Sequence, residues 1–250
     1  YINGEYWGLY NLREKVNEDY LASHFGVDPN QVDILVWNGF AMAGSNASYQ
    51  DLVEYVATHD MRKQEYYDVV ASQIDIDNFI DYLIIESYFG NTDSGNIKFW
   101  RDHYVGKWRW ILYDMDWALF AGTYTWNNIS QIFNPDGMGV ADWIDTTLHV
   151  DLMKNDHFRE EFINRYALYT RTYFNPDRLL SIFDTMVAEI ESEMPRHLER
   201  WPKPAAYASW EDYVAMTRKI IMEKPEIEKQ HLQFFFGLSN AEMQELFPDE

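Results

Sequence analysis

Four polar side chains in two short segments have types and spacing that suit a site for a hard metal ion. Asp93 and Asn96 lie in one loop, directly after an apolar helix predicted over Ile76–Phe89. Asp114 and Asp116 follow the second of two predicted strands. Carboxylate and amide oxygens with no neighbouring His or Cys favour magnesium, calcium or manganese over zinc.

The elements around these residues predict that the two segments meet. In the helix before the loop, apolar residues recur at i, i+3, i+4, i+7 and i+8, which is the spacing of a buried face. Alternating residues predict strands over Ile97–Arg101 and Lys107–Tyr113, joined by a turn that contains Gly106. Because a hairpin returns the chain to the point where it left, we expect all four side chains to converge in one cleft, with carboxylates close enough to share a cation.

This order of elements is the one that phosphoryl transfer requires in kinase-like folds. A loop Asp orients the acceptor hydroxyl, a loop Asn holds a metal ion, and an Asp after the hairpin binds the magnesium that bridges the nucleotide phosphates. Lys98 and Arg101 are candidates for contact with the transferred phosphate, although strand alternation places one or both of them elsewhere. For the acids after the hairpin, the alternative is a strand-end turn with solvated side chains.

The remainder of the chain predicts a single α+β domain with a β-rich start and a long helical body. Asn3-Gly4, the strongest two-residue hairpin signal, predicts two strands within residues 1–14. A further strand is predicted over Val32–Val36, and an irregular stretch from Ala118 to Gly139 is a candidate functional loop. Helices are predicted over Val16–Phe25, Ser48–His59, Lys63–Ser72, Leu148–Lys154, Asp156–Phe174, Pro176–Arg200, Ser209–Phe236 and after Ser239. We expect a remnant N-lobe sheet in about residues 1–36 and a mainly helical C-lobe in about residues 37–250.

Composition excludes several classes of partner and chemistry. The formal net charge of −21 repels nucleic acid and anionic membrane surfaces, whereas a basic protein substrate is attracted. The absence of Cys excludes disulfides, thiolate nucleophiles and cysteine zinc sites. No apolar run reaches membrane-spanning length. The chain starts at Tyr1 inside a predicted strand, without Met or a signal peptide, so we expect a longer protein with any targeting signal upstream.

A specific pattern runs through five segments, namely Asn3–Tyr10 with Arg13–Lys15, Asp77–Tyr82, Asn91–Asp93, Lys107–Trp110 and Asp114–Trp117. Together these segments resemble the CotH kinase family, which is named for a spore-coat protein. The resemblance extends from residue 1 to at least the tail helices. It implies a protein-kinase-like fold and an atypical bacterial protein kinase, secreted or spore-associated, that uses ATP and magnesium or manganese to phosphorylate Ser or Thr.

The resemblance also implies roles for individual residues. By position, Asp93 is similar to the catalytic-loop Asp and Asp116 to the metal-binding Asp, while Asn96 and Asp114 match the same motifs and are expected to help hold the metal. Asn96 follows Asp93 more closely than in the protein-kinase catalytic loop. The family's nucleotide loop and basic pair precede the point where this chain starts, so we expect much of the N-lobe to lie upstream.

Nucleotide contacts are expected from Glu14, Asn96 and Lys98. Glu14 ends the second predicted strand, where a kinase-like fold connects its lobes beside the adenine. The alternative is a surface acid paired with Arg13 or Lys15.

Two other classes of function remain open at this point. One is a binding or structural module of a spore coat or extracellular assembly, in which a degenerate nucleotide site holds a metal without turnover. The other is a carbohydrate-active protein, which is weaker because acids two residues apart on one strand end do not set the two-sided geometry of glycoside cleavage. Kinase folds also direct nucleotides to other transfers.

Overall fold

The computed structural model describes residues 1–93, 95–138, 142–203 and 208–248, which form an α+β fold as predicted. In chain order its elements are α1 (Glu18–Phe25), β1 (Val32–Val36), β2 (Phe40–Ala43), α2 (Ala47–Thr58), α3 (Gln64–Ala71), α4 (Ile76–Phe89), β3 (Lys98–Asp102), β4 (Arg109–Ile111), α5 (Asn128–Ile132), α6 (Thr147–Leu152), α7 (Asp156–Arg171), α8 (Pro176–Glu191), α9 (Met194–Arg200), α10 (Trp210–Phe236) and α11 (Asn240–Leu246). None of these helices is long and apolar enough to cross a membrane.

The strands form one antiparallel sheet in the order β2-β1-β3-β4. All five residues of β1 are buried because both faces of the sheet are covered. On one face, Ile34 and Trp100 pack with Leu21 of α1. On the other face, Leu35 and Phe99 join the main core, which is shared with the helices. The predicted hairpin β3–β4 therefore lies at one side of a sheet that also includes β1.

The N-terminal segment differs from its prediction. The Asn3-Gly4 turn forms and joins Ile2 to Glu5 as an isolated bridge, but no strand follows it within residues 6–16. The backbone there bonds to side chains of the α9 region: Leu9 N donates to His197 Nδ1 at 3.0 Å, and Trp201 Nε1 donates to the Trp7 carbonyl at 2.7 Å. Partners about 190 residues away thus replace the expected strand ladder.

Two further differences concern the helices and strands of the body. The helix predicted over Pro176–Arg200 is divided into α8 and α9, and Pro195 stands in the first turn of α9. Proline has no backbone N–H, so Pro195 cannot donate to the carbonyl of Glu191, where α8 ends, and a new helix starts at Met194. β2 and α5 were not predicted. Gly139, the last residue of the predicted functional loop, lies outside the described residues.

Candidate active site

The helix α4 positions the loop of Asp93. Its N-cap is Asp75, whose side chain accepts a hydrogen bond from Asn78 N, and its C-cap is Gly90 in the left-handed conformation with φ 64°. Eight of its fourteen residues are buried, most of them in its C-terminal half, so its end is fixed by packing. The β3–β4 hairpin then pairs Lys98 with Ile111 and returns the chain beside this loop.

Three of the predicted side chains lie together at this end of the hairpin. The Asn96 amide nitrogen donates to Asp93 Oδ2 at 2.8 Å and to Asp114 Oδ2 at 3.1 Å. One amide group thus holds two carboxylates from different segments. Asp114 has a left-handed backbone with φ 56°, which is uncommon for residues other than glycine and is often found at functional sites.

Asp116 lies two residues further on and is exposed. Within the described part of the chain its side chain has no hydrogen bond to Asp93, Asn96 or Asp114, which are called the cluster from here on. Among those same residues, no group of three or more His, Asp or Glu side chains is arranged to hold a metal ion. The structure therefore brings Asp93, Asn96 and Asp114 together, while Asp116 remains beside them as a solvated acid.

Asn91, which was quoted only as part of a motif, contacts both acidic segments. Its side-chain oxygen accepts a hydrogen bond from Asp93 N at 3.3 Å, and its amide nitrogen donates to the Met115 sulfur at 3.4 Å. The backbone nitrogen of Asn91 donates to the Glu86 carbonyl at 3.2 Å. Asn91 therefore connects the loop of Asp93 to the segment that contains Asp114 and Asp116.

Glu86 is the second residue that sequence reasoning missed. It lies in the last turns of α4 with 3% of its surface exposed. Burial raises the pKa of Glu86 to about 7, although hydrogen bonds from Asn91 and Tyr82 favour the ionised form. The only sequence signal was a carboxyl residue within an apolar helix that leads directly into the candidate loop.

Lys98 lies near the cluster and Arg101 does not. Lys98 Nζ donates to the Val16 carbonyl at 3.0 Å and stands 4.9 Å from the ring centroid of Tyr113, the residue before Asp114. Burial, followed by the charge of Lys15, lowers the pKa of Lys98. Arg101 instead pairs with the buried Asp33, Nε to Oδ2 2.9 Å.

Glu14 has a different partner from either of those considered. Its Oε2 lies 2.8 Å from His24 Nε2 of α1, and both side chains are about half exposed. This contact places Glu14 at the surface beside α1. Its contact with the nucleotide stays a prediction.

A buried ion pair supports the loops behind the cluster. Lys224 Nζ lies 2.6 Å from Glu228 Oε1 and donates to the Tyr124 carbonyl at 2.8 Å, while the Tyr166 hydroxyl donates to Glu228 Oε2 at 2.6 Å. A Cβ placed on Gly90 would stand 3.7 Å from the same Lys224 nitrogen. Thus α10 holds both the segment after Asp116 and the end of α4.

The donor atoms at this site are oxygens, the ligand type that a hard divalent cation such as magnesium or manganese prefers, but the described carboxylates are not gathered into a preformed metal site. Asp93 and Asp114 present carboxylate oxygens that one neutral amide holds side by side, and Asp116 adds an exposed carboxylate within two residues. Such cations prefer oxygen ligands and keep several waters, so a site of few protein ligands is sufficient. Asp114, Asp116 and the side-chain oxygen of Asn96 are the groups available to hold one.

The α+β fold, with an Asp and Asn loop between a buried helix and an antiparallel hairpin, is that of a kinase-like protein. A family model described as CotH kinase protein matches residues 1–227 of the 250-residue chain. The chain belongs to the CotH kinase family. Comparison with curated proteins and with solved structures gave no match.

Proposed function

We propose that this chain is part of an atypical protein kinase that transfers the γ-phosphate of ATP to Ser or Thr hydroxyls of a protein substrate. The observation that supports this most directly is the Asn96 amide between the carboxylates of Asp93 and Asp114 in a chain of a kinase family. A substrate that is basic or rich in Ser suits the net charge of −21. The expected location is the spore coat or the extracellular space of a bacterium.

In this proposal each acid has a separate task. Asp93 accepts the proton of the acceptor hydroxyl while the hydroxyl oxygen forms a bond to the γ-phosphorus. The bond from that phosphorus to the β,γ-bridging oxygen breaks, and ADP leaves with the electron pair. Asp116, with Asp114 and Asn96, holds the cation. Magnesium, or manganese in its place, supplies positive charge against the nucleotide phosphates.

The remaining contacts concern the nucleotide. Lys98 provides a positive charge beside Tyr113, at the end of the hairpin where the acids lie. Asn96 contributes its amide group, and Glu14 is proposed to lie near the adenine. Since burial lowers the pKa of Lys98, a nearby phosphate would favour its charged form.

A second candidate is a structural or binding module with a degenerate nucleotide site. It is favoured by the exposed position of Asp116 and by the lack, among the residues described, of a group of three acids or histidines suited to a metal. In that case the acids would bind a cation weakly and no phosphate would be transferred.

Incubation with labelled ATP and magnesium separates the two candidates. The intact protein is mixed with a basic, Ser-containing acceptor protein, and the label on protein is counted. Asp93→Asn should lower the rate of labelling by about 100-fold or more, whereas Asp51→Asn, the same change at an exposed position on α2, should not affect it. Absence of labelling by the wild type with either magnesium or manganese would favour the structural module.

A further inference from the structure

Three exposed aromatic side chains form a continuous surface beside the loop of Asp93. Trp37 and Phe40 lie at the β1–β2 turn, and Trp143 lies ahead of α6. Their exposed fractions are 47%, 64% and 54%. The ring centroid of Trp37 is 6.0 Å from that of Phe40 and 6.2 Å from that of Trp143. These three residues are called the aromatic surface below.

The aromatic surface adjoins the proposed catalytic carboxylate. A Cβ placed on Gly95 would stand 3.4 Å from Trp143 Cζ2 and 3.9 Å from Asp93 Oδ1. The indole ring and the carboxylate therefore border the same small space above Gly95. A ligand that covers the Trp143 ring extends directly to Asp93.

Hydrogen bonds hold this surface in a fixed arrangement. Asn38, in the β1–β2 turn, donates from Nδ2 to the Trp143 carbonyl at 2.9 Å and accepts at Oδ1 from Asp145 N at 2.8 Å. These two hydrogen bonds join the turn of the sheet to the backbone of the segment that contains Trp143. Rings that are exposed yet held in place provide contact area at a low entropic cost on binding.

The charge around the rings indicates the type of ligand. Asp142 and Asp145 flank Trp143 in the sequence and are exposed. The faces of aromatic rings attract cations, Trp most strongly, and nearby carboxylates add to that attraction. An anionic ligand would be repelled by these acids and by the net charge of −21.

We propose that the aromatic surface binds a Lys or Arg side chain of the acceptor protein and thereby places a neighbouring Ser or Thr hydroxyl at Asp93. This inference rests on the proposed kinase function and adds the docking surface of its substrate. Since an extended chain advances about 3.3 Å per residue, the basic residue belongs about two positions from the acceptor hydroxyl.

The test uses two synthetic peptides that differ only in charge. One has a single Ser with Arg two residues to each side, and the other has the neutral isostere citrulline in place of both Arg residues. Binding is measured by calorimetric titration without nucleotide, and KM and kcat are measured with ATP and magnesium. The variants are Trp143→Ala and Phe40→Ala, so that if one of them fails to fold, the other still tests the proposal. Tyr104→Ala is the matched control, because Tyr104 is 74% exposed at the far end of the β3–β4 hairpin.

We expect Trp143→Ala to raise both the Kd and the KM of the Arg peptide about 10-fold, in line with the loss of one cation–π contact and its ring area. Phe40→Ala should raise them by a smaller factor. kcat and the KM of ATP should stay within about two-fold, since the rings do not touch the reacting atoms. The citrulline peptide should bind the wild type about as weakly as the Arg peptide binds Trp143→Ala.

Equal affinity of the wild type for the two peptides would overturn the proposal, and so would an unchanged Kd in both aromatic variants. Self-association that is lost in Trp143→Ala, with peptide binding unaltered, would assign the surface to a second copy of the chain and also overturn it. If the wild type binds the Arg peptide as expected but transfers no phosphate to any peptide, the kinase function fails while the docking surface is supported.

Discussion

The backbone N–H of Asn91 donates to the Glu86 carbonyl at 3.2 Å, and the Asn91 side chain contacts both acidic segments of the candidate site. Glu86 belongs to α4 and is buried, so the position of Asn91 depends on the core. Buried hydrogen-bonded groups of this kind orient the side chains that act on a substrate.

The first prediction concerns Asn91. Asn91→Ala leaves Asp93 N without its side-chain acceptor and removes the contact with Met115, so the two acidic segments lose their common partner. We expect kcat to fall about 10- to 100-fold, because small displacements of catalytic groups have effects of that size. The KM of ATP should change by a few-fold at most. Steady-state kinetics tests this, with Asn30→Ala in an exposed turn as the control. Unchanged kcat would show that Asn91 does not position the site.

The second prediction is a pH dependence of stability that originates at Glu86. Its pKa is about 7 when folded, above the ordinary value of 4.5, so its contribution to stability is complete below pH 4.5 and is lost as the pH rises through 7. The groups that face it are Tyr82 on its own helix, Asn91 in the loop and Tyr113 after β4. The change is on the order of 3 kcal/mol.

Urea unfolding of the wild type and Glu86→Gln between pH 4.5 and pH 8 measures this change. The difference in unfolding free energy between the two proteins should move in favour of Glu86→Gln as the pH rises. Burial lowers the pKa of His149 to about 4, and that residue therefore has the opposite effect as the pH falls below 6.5 in both proteins. Because His149 is present in both the wild type and Glu86→Gln, its contribution cancels in the difference between their unfolding free energies. A difference that stays constant with pH would mean that Glu86 ionises at its ordinary pKa.

The third prediction concerns the buried pair Lys224 and Glu228, which are 1% and 0% exposed. Lys224→Met leaves the buried Glu228 carboxylate with only His231, 3.3 Å away, as an ionisable partner, and we expect a loss of about 3–5 kcal/mol of unfolding free energy. The double variant Lys224→Met with Glu228→Gln should recover much of that loss, because no uncompensated charge remains. Denaturant unfolding of both single variants and the double variant gives the coupling energy. Additive effects would show that the two groups act independently.

The sequence was sufficient to predict that Asp93, Asn96 and Asp114 lie together, because elements close in the sequence determine their positions. The periodicity of α4 and the two strands around Gly106 are signals within a span of about 40 residues, and these elements bring Asp93, Asn96 and Asp114 together. A hairpin needs no distant partner to return its ends to one place.

The sequence was not sufficient where contacts with residues distant in the sequence determine the local structure. Two strands were predicted within residues 1–14, yet the backbone of Trp7 and Leu9 bonds to Trp201 and His197 of the α9 region. β2 is an edge strand with Phe40 and Met42 exposed, which is not the usual pattern of a half-buried strand. The role of Asn91 depends on contacts with two segments that are adjacent only in the folded chain.

The fourth prediction, on the separate tasks of Asp93 and Asp116, tests the central claim most directly. Calorimetric titration with magnesium ATP is combined with a phosphate-transfer assay on Asp93→Asn and Asp116→Asn, with Asp51→Asn as the control. Asp116→Asn should weaken nucleotide binding and abolish transfer together, because one anionic ligand of the cation is removed. Asp93→Asn should keep nucleotide affinity within a few-fold while the transfer rate falls by about 100-fold or more. Equal loss of binding in both variants would make Asp93 a metal ligand, and unchanged transfer in both would contradict a catalytic role for this cluster.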